Sequence, residues 1–197
     1  MMNNSKPNII LIGAGGHCVS VIDVIEQENR YNILGVLDLK KNEDNVLGYP
    51  VLGGDELIPN LVKDNNYFLI TVGQIKSYSI RQNIADNLKN NKAKLAIVVS
   101  PLAYVSKHAS IQDGSIIMNG AIVNAKSKIG KHCIINTKSN IEHGVMIRDF
   151  CHISTCAVVN GDSVIGKGTF IGSNATVSNG IRIKENSIIS AGKFIKR

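Results

Sequence analysis

The chain has no tryptophan, and Phe and Tyr together make up only 5% of it. That scarcity, with no block of Arg and Lys resembling a reading helix and no aromatics alternating with basic residues, argues against a nucleic-acid-binding surface. No stretch approaches the roughly 18 consecutive apolar residues of a membrane span. The start, MMNNSKPNIILIGAGG, runs from a short apolar stretch straight into a glycine turn. It has neither the longer apolar region nor the small-residue cleavage site of a secretory signal. Cysteines are few: Cys18, Cys133, Cys151 and Cys156, with no CxxC pair to suggest zinc. The expectation is a cytoplasmic protein with reduced thiols and no metal. What the chain does have is a net charge of +7, which suits a solvated basic surface or attraction for phosphate-rich small molecules.

Two regions differ in period. Up to about residue 96, strand-like and helix-like segments alternate. Strands are expected at Asn8 to Ala14, Ile33 to Asp38 and Tyr67 to Gly73. Helices are expected from Gly15 to Asn29, over Asp55 to Val62, and from Ile75 to Leu88 with Ile80, Ile84 and Leu88 on one face. Such alternation implies a small parallel sheet with helices packed on it. From Val105 the period becomes six. Val or Ile occupies sixteen successive positions, Val105, Ile111, Ile117, Val123 and so on to Ile195, and small residues dominate four places after each. A hexapeptide period signals a β-helix in which three repeats make one triangular coil of about eighteen residues. The branched side chains stack inward, and small ones fill the corners. The fold class is therefore an α/β domain with a small parallel sheet, residues 1–96, followed by an all-β parallel β-helix, residues 97–197.

Residues eighteen apart should stack. One outward column reads Ile116, Ile134, His152, Phe170, Ile188, an apolar stripe expected to form an interface between copies. Another reads Ala125, His143, Gly161, with small residues above and below the imidazole that leave room for a ligand. Beside it runs a polar ladder, Asn124, Glu142, Asn160. His143 could equally be a plain exposed corner residue, and the ladder a solvated one. Cys133 and Cys151 fall at one corner in adjacent coils, where a disulfide is sterically conceivable but small corner residues are the simpler reading.

Gly13-Ala-Gly-Gly-His17, a strand ending in Leu-Asp38, Thr71-Val-Gly73, and hexapeptides bearing Asn136-Thr137, Ile141-Glu-His143 and Phe150-Cys-His-Ile-Ser154 occur in this order. Together they resemble the bacterial nucleotide-sugar N-acetyltransferases: the bacillosamine-pathway and perosamine enzymes and the related sialic acid O-acetyltransferase-like proteins. The resemblance implies a left-handed β-helix, a homotrimer, acetyl-CoA as co-substrate and a UDP-, GDP- or dTDP-linked amino sugar as acceptor, in surface-glycan synthesis. It places Gly13, Gly15, Gly16 and His17 near the phosphates and sugar, Asp38 at the nucleoside, and Gly73 in the same pocket. Glycines at a helix start let backbone N–H groups approach phosphate. A third glycine of a dinucleotide fingerprint would fall at Cys18, which argues against a standard dinucleotide cofactor. The resemblance makes His143 the general base, puts His152 at the acetyl-CoA carbonyl, and puts Gly161 at the CoA strip.

Two features depart from the family. An acidic residue often follows the base histidine, where this chain has Gly144; Glu142 is the candidate substitute. Relatives also continue into a segment ending near Gly-x-Pro-Ala-Lys, whereas this sequence reaches Lys196-Arg197 first. An O-acetyltransferase would need the same fold and histidines. A non-catalytic scaffold would keep the β-helix alone. A zinc enzyme of the γ-carbonic anhydrase kind needs three converging histidines, and His17, His108, His132, His143 and His152 lack the close pair five apart seen there.

Overall fold

The computed structural model describes residues 6–39 and 44–196. Residues 1–5, where a leader was sought, and Arg197 lie outside them. The described residues form two compact units: one runs to Gly73 and resumes at Ile80–Ala96, and the other comprises Gln74–Ser79 and the chain from Ile97 onward. Residues 74–79, read from sequence as part of the first region, thus group with the second. Among the described residues no helix is long and apolar enough to cross a membrane.

The first unit is built on β1 (Asn8–Ile12), α1 (Gly16–Glu28), β2 (Asn32–Leu37), β3 (Asn45–Val46), β4 (Tyr49–Gly53), a 3-10 turn (Asp55–Leu57) leading into α2 (Ile58–Leu61), β5 (Tyr67–Ile70), α3 (Ser79–Asn90) and β6 (Lys94–Leu95). Strand order is β3-β4-β2-β1-β5-β6. All neighbours run parallel except β3 against β4. β1 is apolar and almost fully buried, as befits an inner strand of a parallel sheet, between β2 and β5. α1 buries Val21, Ile22 and Ile25 on one face. It ends where Asn29 turns left-handed (φ 57) and returns its N–H to the Ile25 carbonyl at 2.9 Å. The chain winds outward from β1 through β2 to β4, then crosses to β5 on the other side of β1. Ligand crevices form at the carboxyl ends of strands flanking such a switch point.

The expected helix from Ile75 begins only at Ser79, and Ile80 is 63% exposed. Arg81 takes the buried place instead, donating from Nη1 to the carbonyls of Val72 at 2.5 Å and Ile70 at 3.2 Å. A residue bearing a guanidinium is a poor candidate for burial from sequence alone. Here the carbonyls at the end of β5 and just after it make it favourable.

The second unit is a left-handed parallel β-helix. Two-residue strands stack into sheets of six, six and five. Each strand pairs with the one eighteen residues on, as in Ile116↔Ile134↔His152. The repeat begins one hexapeptide earlier than expected, because Val98–Val99 pairs with Ile116–Ile117. The inward Val and Ile side chains form one continuous core, each contributing roughly 1.5–3 kcal/mol by burial. Every sixth residue turns left-handed, and at Lys126, His132, Lys138, Phe150 and Cys156 it is not even glycine. Each such residue costs about 1–2 kcal/mol, which the cooperative ladder offsets.

The corner residues do more than fit. Ser115, Ser127, Ser163 and Thr169 each donate a hydroxyl to a carbonyl fifteen residues on, at 2.7–3.0 Å. Cys133 and Cys151 do the same with their thiols, to Arg148 and Gly166 at 3.1 and 3.0 Å. They are free, serine-like corner residues rather than a disulfide.

The column Ile116, Ile134, His152, Phe170, Ile188 stacks in register. It is not the exposed stripe expected: Ile116, Ile134 and His152 are already buried within the single chain, and only Ile188 is open. On the next face of the prism Tyr104, Ile122, Asn140, Val158, Thr176 and Phe194 stack; of these Tyr104, Ile122 and Phe194 are exposed, and the others are half-buried.

Candidate active site

In the first unit the carboxyl ends of β1, β2 and β5 converge. Gly13 follows β1 with φ +107, and a Cβ there would lie 2.5 Å from the Val72 side chain and 2.9 Å from its backbone nitrogen. Gly13 is therefore required by close packing. Its N–H donates to Leu37 at 2.7 Å, and its carbonyl accepts the Thr71 hydroxyl at 2.7 Å. Gly15 and Gly16 differ, since a Cβ on either would meet nothing within 4 Å. They open the amino end of α1 to a ligand, as an anion site requires. Gly73 faces His17, whose Cβ lies 3.8 Å from where a Cβ on Gly73 would be.

Asp38 sits just past β2. One carboxylate oxygen accepts the Ala14 N–H at 2.7 Å, bracing the glycine turn. Gly13, Asp38, Val72, Ile80 and Ile84 line a cavity of about 200 Å³ together with Asp55, a residue the sequence reading missed. Burial, then the nearby Glu56 and Asp38 carboxylates, raise the Asp55 pKa above its ordinary value. Two acids in one small apolar pocket suit the hydroxyls of a ribose. Only the Gly53-Gly54 turn before Asp55 hinted at it.

In the second unit His143 projects from the corner that follows Asn140–Ile141. The column read from sequence is present. A Cβ on Gly161 would fall 2.7 and 2.8 Å from Cε1 and Nε2 of the imidazole. The ring therefore lies flat over Gly161, and only glycine leaves it there. Glu142 does not orient it: its two oxygens accept from Asn124 at 3.1 Å and Asn140 at 2.9 Å. Gly144 has φ +68, and a Cβ on it would lie 2.2 Å from Oδ1 of Asp162, one coil on. The Asp162 carboxylate thus fills the space that a side chain at position 144 would take.

His152 sits in a defined relay. Asn136 Oδ1 accepts the Thr137 N–H at 2.8 Å, so its Nδ2 faces the ring and donates to Nε2 of His152 at 3.1 Å. Nδ1 then carries the proton and donates to the Gln74 carbonyl at 2.6 Å. The imidazole is neutral with its tautomer set by its partners. The Gln74 side chain donates in turn to the carbonyls of Phe150 and Gly168 at 2.7 and 3.3 Å. Sequence reading found His152 but not Gln74, which is 78 residues away. His143 and His152 are nine residues apart, half a coil, and project from different sides of the prism. One chain does not bring them together.

Cys18 and Cys151 are chemically quiet. Burial pushes the Cys18 thiol up to about 11. It pushes Cys151 well above the ordinary range, with Cys133 adding to the effect. The thiolate is the nucleophile, so both stay protonated through neutral pH. Intact mass is expected to stay unchanged on incubation with acetyl-CoA alone, and alkylation of Cys18 and Cys151 at pH 8 to be far slower than that of free cysteine. An acetyl adduct on either thiol would contradict this.

Residues 8–88 match the PglD N-terminal domain, and residues 162–197 match the bacterial transferase hexapeptide (six repeats). The acetyltransferase domain of PglB from Neisseria gonorrhoeae FA1090 superposes with a TM-score of 0.91 at 30% identity, over 97% of this chain and 92% of that one. The chain belongs to the hexapeptide-repeat nucleotide-sugar N-acetyltransferases. Another member of this family, PerB from Caulobacter crescentus in complex with CoA and GDP-perosamine, superposes at 0.90 with 27% identity over 98% and 90% of the two chains. UDP-N-acetylbacillosamine N-acetyltransferase from Bacillus subtilis (strain 168) is 34% identical over 118 residues, 56% of this chain. The match spans about half the length of that curated relative.

Proposed function

We propose that this acetyltransferase moves the acetyl group of acetyl-CoA onto the amino group of a nucleotide-linked sugar, with His143 as general base. The observation that carries this reading is the imidazole laid over Gly161 beneath the gap at Ala125, in a chain whose relatives hold CoA and a nucleotide sugar. His143 removes a proton from the sugar ammonium. The freed nitrogen attacks the thioester carbonyl, and a new C–N bond forms as the carbonyl oxygen takes up charge. Collapse of that intermediate breaks the C–S bond, the CoA sulfur leaves with the proton returned from His143, and the nitrogen gives up its second proton, through the freed imidazole, to solvent to leave the neutral amide. Gly15, Gly16 and His17 hold the nucleotide's phosphates, and Asp38 and Asp55 hold its ribose. His152 has both ring nitrogens engaged. Nε2 is an acceptor in this tautomer, so it becomes a donor to the acetyl oxygen only when the ring gains a second proton and Asn136 turns away. Both substrates are cytoplasmic metabolites, and the product class serves surface-glycan assembly. The test is release of free CoA with UDP-, GDP- and dTDP-linked 4-amino sugars, each beside its 4-hydroxy counterpart. Turnover of the hydroxy sugars alone would replace this reading with O-acetylation.

A homotrimer is part of this proposal. Because His143 and His152 project from different sides of one prism, a site that uses both must take one from each of two copies. The exposed side chains of Tyr104, Ile122 and Phe194, on the face that leads to the His143 corner, offer the surface for that contact. Light scattering is expected to give a trimer at micromolar concentration. Ile122→Glu is expected to shift the mass to monomer and abolish turnover. A monomeric wild-type mass would end the trimer assignment.

A further inference from the structure

One corner of the β-helix grips the segment Gln74–Ser79 at both ends. That corner is a column of left-handed residues, Gly114, His132, Phe150 and Gly168. Its two middle side chains stack, with the His132 and Phe150 rings 4.9 Å apart and 18° from parallel. Position 168 has no side chain to continue the stack, and Tyr78 supplies the ring. It packs on Phe150 at 5.3 Å, and a Cβ on Gly168 would collide with its Cε1 and Cδ1. The Lys167 ammonium stands 5.5 Å from the Tyr78 ring and 5.6 Å from the Phe150 ring, within cation–π reach of both. At the other end of the segment the same two corner residues hold Gln74. Its Nε2 donates to the Phe150 carbonyl at 2.7 Å and to the Gly168 carbonyl at 3.3 Å. The amide cannot be reversed, because Oε1 would then face two carbonyls. Oε1 is instead buried without a donor, which weakens the tie at Gln74 and leaves the segment in need of its second anchor. Between the anchors Ile75, Lys76 and Ser77 are exposed. Gln74 so held presents its own carbonyl to Nδ1 of His152 at 2.6 Å, and Phe170, one coil on, meets that imidazole edge-on at 5.2 Å.

We infer that Tyr78 is a positioning residue for His152. Seated in the slot that Gly168 leaves open, its ring holds the segment against the coil so that the Gln74 carbonyl keeps the Nδ1 proton of His152. That bond fixes the plane of the imidazole and thereby the direction of Nε2. The inference rests on the acetyl-transfer reading for what His152 then does. When the ring gains a second proton at Nε2, the Gln74 carbonyl still holds Nδ1, so the new donor keeps its direction toward the acetyl oxygen. Without the clamp the Gln74 carbonyl drifts, the imidazole turns about its own bond to Cβ, and the donor leaves its place. A small displacement of a reacting group is enough to slow the reaction, even when its cause lies outside the site. Tyr78 touches no reacting atom in this scheme. It acts through Gln74, and Gly168 is small because the ring needs the space.

Nuclear magnetic resonance of the full chain labelled with ¹⁵N at histidine tests this without turnover. The Nδ1–H of His152, bonded to a buried carbonyl, is expected to give a resolved proton signal, assigned by its loss in His152→Gln. In Tyr78→Ala that signal should broaden into exchange with water, and in Tyr78→Phe it should stay, because the ring is kept. Gly168→Ala should lose it as well, although Tyr78 is present, because the methyl group takes the place of the ring. Gly192→Ala is the control. It has the same left-handed backbone (φ +68) with open space around it, so it carries the backbone strain alone and should keep the signal. In kinetics Tyr78→Ala is expected to lower kcat/KM for acetyl-CoA about tenfold, less than the roughly 10²–10³-fold of an outright lost oxyanion donor, with KM for the sugar nucleotide unchanged and Tyr78→Phe near wild type. An Nδ1–H signal that survives in both Tyr78→Ala and Gly168→Ala overturns the positioning role, even if acetyl transfer is demonstrated. Loss of the signal in an enzyme that acetylates none of the sugars would leave the clamp standing and remove the acetyl-transfer reading.

Discussion

His143→Ala is expected to lower kcat for acetyl transfer about 10²–10⁴-fold, the usual worth of a positioned general base. The fold and the oligomer should be unaffected, because His143 projects from an exposed corner and its side chain supports no core residue. The size of the loss depends on pH in a definite direction. A sugar ammonium needs help to lose its proton when the pH is below its pKa, and needs less as more of it is already neutral. The ratio of wild-type to variant kcat should therefore shrink as pH rises. A ratio that stays near one at neutral pH moves the base elsewhere, with Glu142 and His152 the nearest candidates. A ratio that is large but independent of pH means that His143 orients the substrate rather than taking its proton.

Gly161→Ala is expected to cost about 10²-fold in kcat although it adds a single methyl group at a residue that does no chemistry. The added Cβ would lie 2.7 Å from the imidazole, closer than nonbonded carbons approach. The ring is the free end of an exposed side chain, so the ring moves rather than the backbone. Displacement on the order of 1 Å at a reacting group is enough for such a loss. Gly161 is not in the left-handed region, so alanine brings no backbone strain and the melting temperature should stay close to wild type. KM for the sugar nucleotide should change little, since its phosphates are held elsewhere. A kcat within about twofold of wild type would show that catalysis does not depend on the ring lying over Gly161. Gly144→Ala makes a useful contrast. There the clash is with the Asp162 carboxylate and φ is +68, so stability as well as rate should fall.

The β-helix was legible because its determinant is local and periodic. An inward Val or Ile every six residues specifies the coil, and the eighteen-residue stacking then follows from chain geometry. That arithmetic placed His143 over Gly161 and beside the ladder of Asn124 and Glu142 before any coordinates. The serine-like role of Cys133 and Cys151 was half visible: position was given by the repeat, but the thiol-to-carbonyl bonds were not. What the sequence could not carry were contacts set by distant backbone. Gln74 fixes the tautomer of His152 from 78 residues away, and Arg81 is buried only because carbonyls at the end of β5 and just after it accept from it. Asp55 joins Asp38 through a crossover whose register no local pattern encodes. The apolar stripe at Ile116 and Ile134 was read as an interface between copies, whereas both residues are buried within the single chain. Periodicity by itself determined which side chains face inward and which residues stack. Only the tertiary structure decided what lies against the outward ones, because a repeat fixes the direction of a side chain and leaves its neighbour across space unspecified.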